Sequence, residues 1–157
     1  MTVDEILDLG FEELLALGAF DCECGRRHTQ GVARVTVDYG AVRALPEYLA
    51  AIGSAKPFIL SGHNTFAAAG KSVDVLDAAG IEYGKYVFPS SPVRPTEETV
   101  GSAVMHFDYS CDAIVGIGSG VINDTGKILA RATGREYIIV ATAPSMDGFV
   151  SATSSMD

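Results

Sequence analysis

The stretch GIGSGVINDTGK, Gly116 to Lys127, carries an apolar run through three glycines around one serine and on into a helix-forming sequence from Val121. The apolar run, CDAIVGIGSG over 111–120, is short and bounded by glycine, which predicts a buried strand, and VINDTGKILARATG over 121–134 predicts the helix that it feeds. A turn this open has two uses. Bare backbone N–H groups can approach a phosphate while the helix dipole favours its charge, or the glycines can simply make a tight turn. The pattern is not a Walker loop, because Lys127 lies too far past Gly120 and the G-K-[ST] triplet is missing. Nor is it a clean G-x-G-x-x-G: Gly116 and Gly118 fit, but position 121 is Val. Asp124 and Lys127, taken alone, read as an exposed ion pair three residues apart on the helix.

The same alternation extends in both directions. EILDLGFEELLALG (5–18) predicts an amphipathic helix, and GVARVTVDYG (31–40), alternating and β-branched, a strand. A helix over 41–53 follows, with Pro46 in its first turn and Gly53 past its end, then a short buried strand, KPFILSG (56–62). Helix 64–81, capped by Asn64 or Thr65, leads to strand 82–89, the loop SSPVRP and a helix opening on Thr96 with Glu97 and Glu98 in its first turn. REYIIVATAPSMDG (135–148) is the last strand and its exit loop. Strands alternating with helices give an α/β fold, a Rossmann-like parallel sheet with helices on both faces, and the 157 residues are expected to form one such domain.

The formal net charge of −9 opposes broad affinity for nucleic acid or an anionic membrane. No apolar stretch is long enough to span a bilayer, and the N-terminus is acidic where a signal peptide would be basic, so a cytoplasmic protein is expected. Cys22, Cys24 and Cys111 are few and odd in number, which suits a reducing compartment. CECGRRH brings Cys22, Cys24 and His28 close in sequence and invites a zinc reading. Structural zinc normally takes four ligands and no second Cys/His pair lies nearby, so a surface turn or hairpin without metal is the expectation.

In a parallel sheet, ligands bind at the carboxyl ends of the strands, near the point where strand order reverses. The exits SGHNT, FPSSP, GIGSG and TAPSMDG are all rich in small polar residues. Thr142, Ser145, Asp147 and Ser151 crowd the last of these, and each is either a helix cap or a ligand contact. His63 lies at a strand exit near any ligand bound there. His106, on a helix, reads as structural, and Cys111 as a packed thiol. No Ser-His-Asp grouping or H-E-x-x-H is present.

GIGSGVINDTGK followed by IIVATAPSMDGFVS, and preceded by CECGRRH and HNTFAAAG, resembles the sn-glycerol-1-phosphate dehydrogenases of the dehydroquinate synthase and iron-containing alcohol dehydrogenase superfamily. The resemblance implies a nicotinamide cofactor, NAD or NADP, with Gly118, Ser119 and Gly120 seating the pyrophosphate and Asp124 and Lys127 beside it. Thr142 and Ser145 would line the nicotinamide end and Asp147 would reach toward substrate. The implied reaction is reversible hydride transfer between dihydroxyacetone phosphate and sn-glycerol 1-phosphate, a step of phospholipid biosynthesis, with zinc, nickel or a similar ion polarising the substrate oxygen. Two departures matter. Gly62 stands where the family tends to carry Asp for the adenine ribose, which leaves room for a 2′-phosphate. The family's metal ligands, histidines and an aspartate, belong to a C-terminal helical domain, and His28, His63 and His106 do not match them.

The resemblance therefore implies the nucleotide-binding half of such an enzyme, ending inside a helix, with no catalytic or metal residue of its own and inactive alone. Self-association is expected through the face that the helical domain would cover. Two other readings are a stand-alone nucleotide-binding or interaction module, and a relative of 3-dehydroquinate synthase or glycerol dehydrogenase.

Overall fold

The computed structural model describes the chain except for Gln30, Ser90, Ser91, Ser145 to Asp147, Val150, Ala152, Thr153 and Ser155 to Asp157. Two compact units divide it, Met1–Val37 and Asp38–Phe149, with the few residues beyond Phe149 shared between them.

The first unit opens with α1 (Val3–Leu7) and α2 (Phe11–Ala16) rather than one continuous helix. Each start is set by a carboxylate reaching back. Thr2 Oγ1 accepts from the Glu5 N–H at 3.1 Å while Glu5 Oε2 accepts from the Thr2 N–H at 2.7 Å, and Glu13 likewise accepts from the Gly10 N–H at 2.7 Å. Extended Gly10 thus restarts the helix where periodicity alone predicts continuity. An antiparallel hairpin follows, β1 (Ala19–Asp21) with β2 (Arg27–Thr29). The strand expected over 31–40 does not form a ladder among the described residues, and Val37 and Tyr39 are exposed. Alternation describes a surface that could pair; the pairing itself depends on an edge in register.

The second unit is the parallel sheet. Its strands are β3 (Pro57–Gly62), β4 (Gly84–Phe88), β5 (Ala113–Gly118) and β6 (Glu136–Ala141), ordered β4-β3-β5-β6. The two central strands are buried on both faces, which is why they read as unbroken apolar runs. Their side chains alternate between two cores. Phe58, Leu60 and Ile114 pack with α6 (Glu97–Met105) and α7 (Gly120–Thr133) through Ala103, Ile122, Leu129 and Ala130. Ile59, Val115 and Ile117 pack on the opposite face with Leu45 and Leu49 of α3 (Leu45–Ala51) and with Leu76 of α5 (Asp74–Ala78). The α/β class with helices on both faces is therefore as the sequence predicts.

The helix expected over 64–81 is divided. The first piece, α4 (His63–Ala69), begins directly after extended Gly62, and a 3-10 turn over Gly70–Val73 separates it from α5. Gly62, not Asn64 or Thr65, occupies the N-cap. Thr96 caps α6 as expected, accepting from the Thr99 N–H, and left-handed Gly134 ends α7.

Candidate functional site

The strand order locates the site more narrowly than the sequence could. From β3 the chain moves outward to β4, returns across β3 to β5, and moves outward the other way to β6. The direction reverses between β3 and β5, so the crevice at their carboxyl ends is where this architecture takes ligands. Gly62 ends β3 and Gly118 ends β5, and Ser61 Oγ donates to the Ile117 carbonyl across the gap at 2.7 Å.

The glycines of the turn do different work. A Cβ on Gly118 would lie 2.6 Å from Ile122, so this glycine lets α7 close onto the end of β5. A Cβ on Gly116 would run into the Tyr137 hydroxyl, and one on Gly126, inside α7, would sit 2.5 Å from the same ring. Sequence reasoning passed over this arrangement, although a glycine within a helix costs about 1 kcal/mol against alanine and so signals a packing need. Tyr137 Oη is buried with no hydrogen-bond partner among the described residues. Burial, and then the charge of Asp124, push its ionisation well above the ordinary range.

Ser119 is the N-cap of α7, in extended conformation, and its side chain does not cap the helix. Its carbonyl accepts from the Asn123 N–H at 2.9 Å. The N–H groups ahead of Asn123 have no acceptor within the helix, and with Gly120 the first helical residue they face the crevice end as a concentrated positive pole. The donor set fits an anionic group such as a pyrophosphate.

Asp124 and Lys127 are not the exposed pair that their spacing suggests. Their side chains are 17% and 14% exposed, with Lys127 Nζ 2.9 Å from Asp124 Oδ1. Lys127 Nζ also donates to the Gly148 carbonyl at 3.3 Å, and buried Asn123 donates to the same oxygen at 3.2 Å. Two residues of α7, Asn123 and Lys127, thus hold Gly148, with Asp124 paired to Lys127. Asn123 was not picked out from the sequence; its only signal was a polar residue on the apolar face of the helix.

Thr142 continues the β5–β6 ladder, its N–H donating to the Gly118 carbonyl at 3.0 Å, which brings it to the glycine turn. Ser145 and Asp147 lie outside the described residues, as do most positions after Phe149, where the sequence suggested a final helix. His63 is exposed at the start of α4, at the rim as expected. His106 is structural: its ring stacks on Tyr86 with centroids 4.1 Å apart, and Nδ1 contacts the Ser102 carbonyl. Cys111 is a buried thiol whose pKa burial raises.

The family model described as iron-containing alcohol dehydrogenase matches residues 36–157, the whole of the parallel sheet with its crevice. The chain belongs to the iron-containing alcohol dehydrogenase family. Within it, the chain is 32% identical over 139 residues to a protein from Halalkalibacterium halodurans named glycerol-1-phosphate dehydrogenase (NAD(P)+), an alignment covering 85% of this chain and 35% of that one. The chain thus spans about a third of that relative's length. Maleylacetate reductase from Rhizobium sp. strain MTP-10005 has the same fold, with a TM-score of 0.61 at 20% identity over 74% of this chain and 32% of the other. Glycerol dehydrogenase from Schizosaccharomyces pombe superposes with a TM-score of 0.57 at 22% identity, covering 69% and 27%.

The family name implies iron, and the donor chemistry here does not suit it. Among the described residues, the group of side chains able to converge on one ion is Cys22, Cys24 and His28, two soft thiols and an imidazole, whereas His63 and His106 stand on separate helices. No step of chemistry is assigned to iron in this chain.

Proposed function

We propose that this chain supplies the nicotinamide-dinucleotide-binding portion of a glycerol-1-phosphate dehydrogenase, an enzyme moving hydride between dihydroxyacetone phosphate and sn-glycerol 1-phosphate. One observation carries the reading: the N–H groups at the start of α7, which have no acceptor within the helix, next to the reversal point between β3 and β5. Ser119 and Gly120 hold the pyrophosphate through backbone N–H groups. Gly118 shapes the seat by letting α7 approach. Asp124 and Lys127 act as positioning residues that tie the Gly148 segment beside the seat. By the family resemblance, Thr142 and Ser145 are assigned to the nicotinamide end and Asp147 to substrate. The dinucleotide, when bound, supplies the hydride.

We assign no catalytic base and no substrate-polarising metal to the described residues, and turnover is expected only together with further residues. Gly62 leaves the β3 end without a carboxylate, so both NADH and NADPH are expected to bind.

Calorimetric titration of the chain with NADH and NADPH tests the proposal, alongside Gly120→Asp, which sets a carboxylate where phosphate should lie. Binding weakened at least tenfold by the substitution, with the circular dichroism spectrum unchanged, supports the seat. Equal binding by parent and variant would remove it.

A further inference from the structure

The turn of the β1–β2 hairpin lies ahead of the residues that the family model matches, and nothing in the dinucleotide site uses it. Here the sequence pointed away from a metal, for want of a fourth ligand. The fold adds what spacing could not. Reversal of the chain brings His28 back onto Cys22 and Cys24, so that Sγ of both cysteines and an imidazole nitrogen all lie within 4.8 Å of one another.

A tetrahedral ion with bonds of about 2.3 Å to sulfur and about 2.0 Å to nitrogen needs its ligand atoms about 3.5–3.8 Å apart. The observed cluster lies close to that spacing. Cys24 Sγ and His28 Nε2 are 3.1 Å apart, as a hydrogen-bonded pair, so small side-chain rotations suffice to admit an ion. The backbone beneath is already shaped. The Gly25 N–H donates to the Cys22 carbonyl and the Cys22 N–H to the Arg26 carbonyl, both at 3.0 Å, with Gly25 in the left-handed conformation that the reversal requires. Phe20 lies opposite His28 in the ladder, with ring centroids 5.7 Å apart, and this contact steadies the imidazole.

Charge and stability argue the same way. Two thiolates and one divalent cation make a neutral centre, which needs no further counter-ion. The hairpin itself has only three residues per strand, and such a ribbon is marginal in water. Its Arg27–Asp21 ion pair spans 3.3 Å between side chains 65% and 80% exposed, a geometry that solvent screening leaves weak. A metal clasp is how small folds lacking a core gain such stability.

We propose that Cys22, Cys24 and His28 form a site for a thiophilic divalent cation of the zinc class, with three protein ligands and an open fourth position filled by water or by a donor from outside the hairpin. The ion fastens the hairpin turn.

The test uses the whole chain, reduced and free of metal, titrated with Co2+ and monitored by absorption. Uptake of one Co2+ per chain, with the strong visible bands of tetrahedral cobalt and a thiolate-to-metal transition, is expected, followed by displacement with Zn2+. Cys24→Ser and His28→Gln should each weaken Co2+ binding at least tenfold, while His106→Gln leaves it unchanged. Because a hairpin variant could lose its local fold, alkylation of the unsubstituted chain gives a second readout: Zn2+ should slow modification of Cys22 and Cys24 and leave that of Cys111 unaltered. Octahedral cobalt only, binding that survives Cys22→Ser/Cys24→Ser, or alkylation indifferent to Zn2+ each overturns the proposal.

Discussion

The two ends of the parallel sheet are built on opposite plans. At the amino end, ahead of β3 and β5, side chains bind nearly every available group. Asp112 accepts from the Ser54 hydroxyl and from the Ala55 and Lys56 N–H groups, and Lys56 Nζ reaches Asp108 at 3.0 Å and Ser110 at 2.6 Å. At the carboxyl end, β3 and β5 finish in Gly62 and Gly118, and Ser119 caps nothing with its side chain. One end is closed by side chains; the other presents backbone, and there we propose that the dinucleotide enters. Ligand seats in such folds are found where polar groups have been left uncommitted, more than where they are dense.

The sharpest attack on this contrast is Gly116→Ala, because it asks whether glycines near the carboxyl end serve packing or ligand. The new methyl group meets the Tyr137 hydroxyl. We expect a loss of about 2–3 kcal/mol in urea unfolding, the usual scale of overpacking, and recovery of most of it in Gly116→Ala/Tyr137→Phe. A neutral single variant would show that the ring shifts freely and that the glycine is kept for another reason. Tyr137→Phe alone, which deletes a buried hydroxyl without a partner, should be neutral or slightly stabilising.

Next in size is Asp112→Asn at the amino end. Burial alone would raise this carboxyl's pKa, but the Ser54 hydroxyl and the two N–H donors outweigh it and hold the pKa below the ordinary value. Asp108 is lowered further, first by the Ser110 hydroxyl and N–H and then by Lys56. Groups lowered on folding stabilise the protein above their unfolded pKa, near 3.9, and lose that contribution as pH falls through the folded value. Asp112→Asn should therefore cost at most about 1 kcal/mol at pH 7, given its exposure to solvent, and the gap to the parent should shrink below about pH 4. NADH affinity should not move. Lys56 works in the other direction: its pKa is raised, chiefly by the hydrogen bond to Asp108, so its contribution fades only as pH climbs beyond its ordinary 10.5.

The last effect, in Gly62→Asp, is expected on cofactor preference rather than on stability. A Cβ there lies 3.3 Å from Val93, which must yield slightly, and the added carboxylate would face the ribose of a bound dinucleotide. Calorimetry should show the NADH to NADPH preference rise about three- to tenfold, or about 0.7–1.4 kcal/mol. An unchanged ratio would mean that the adenine end does not pass β3, and the crevice between β3 and β5 would lose its claim.

The sequence made some of this legible and withheld the rest for physical reasons. The central strands were readable because burial on both faces leaves continuous apolar runs, as in FILS and AIVGIG. The glycine turn and α7 were readable because composition changes abruptly there. Strand order was not, since a run of βα units does not state on which side each new strand adds. The partly buried state of Asp124 and Lys127 was equally hidden: their spacing is that of any surface pair, and it does not show that Gly148 returns to Lys127 and Ser154 to the Asp124 carbonyl. At the N-terminus, alternation over 31–40 promised a strand that no described ladder includes, because a pattern specifies a face and not a neighbour. The convergence of Cys22, Cys24 and His28 was hidden too, because spacing along the chain does not state how a turn brings side chains together.

Tyr137 lying between Gly116 and Gly126 constrains how this protein can change over generations. The three positions pack as one unit. Either glycine acquires a side chain only at the cost of moving the ring, and a much smaller ring would leave a void that a larger residue at 116 or 126 could fill. Drift through this part of the fold has a required order: the tyrosine must give way first, and the glycines afterwards.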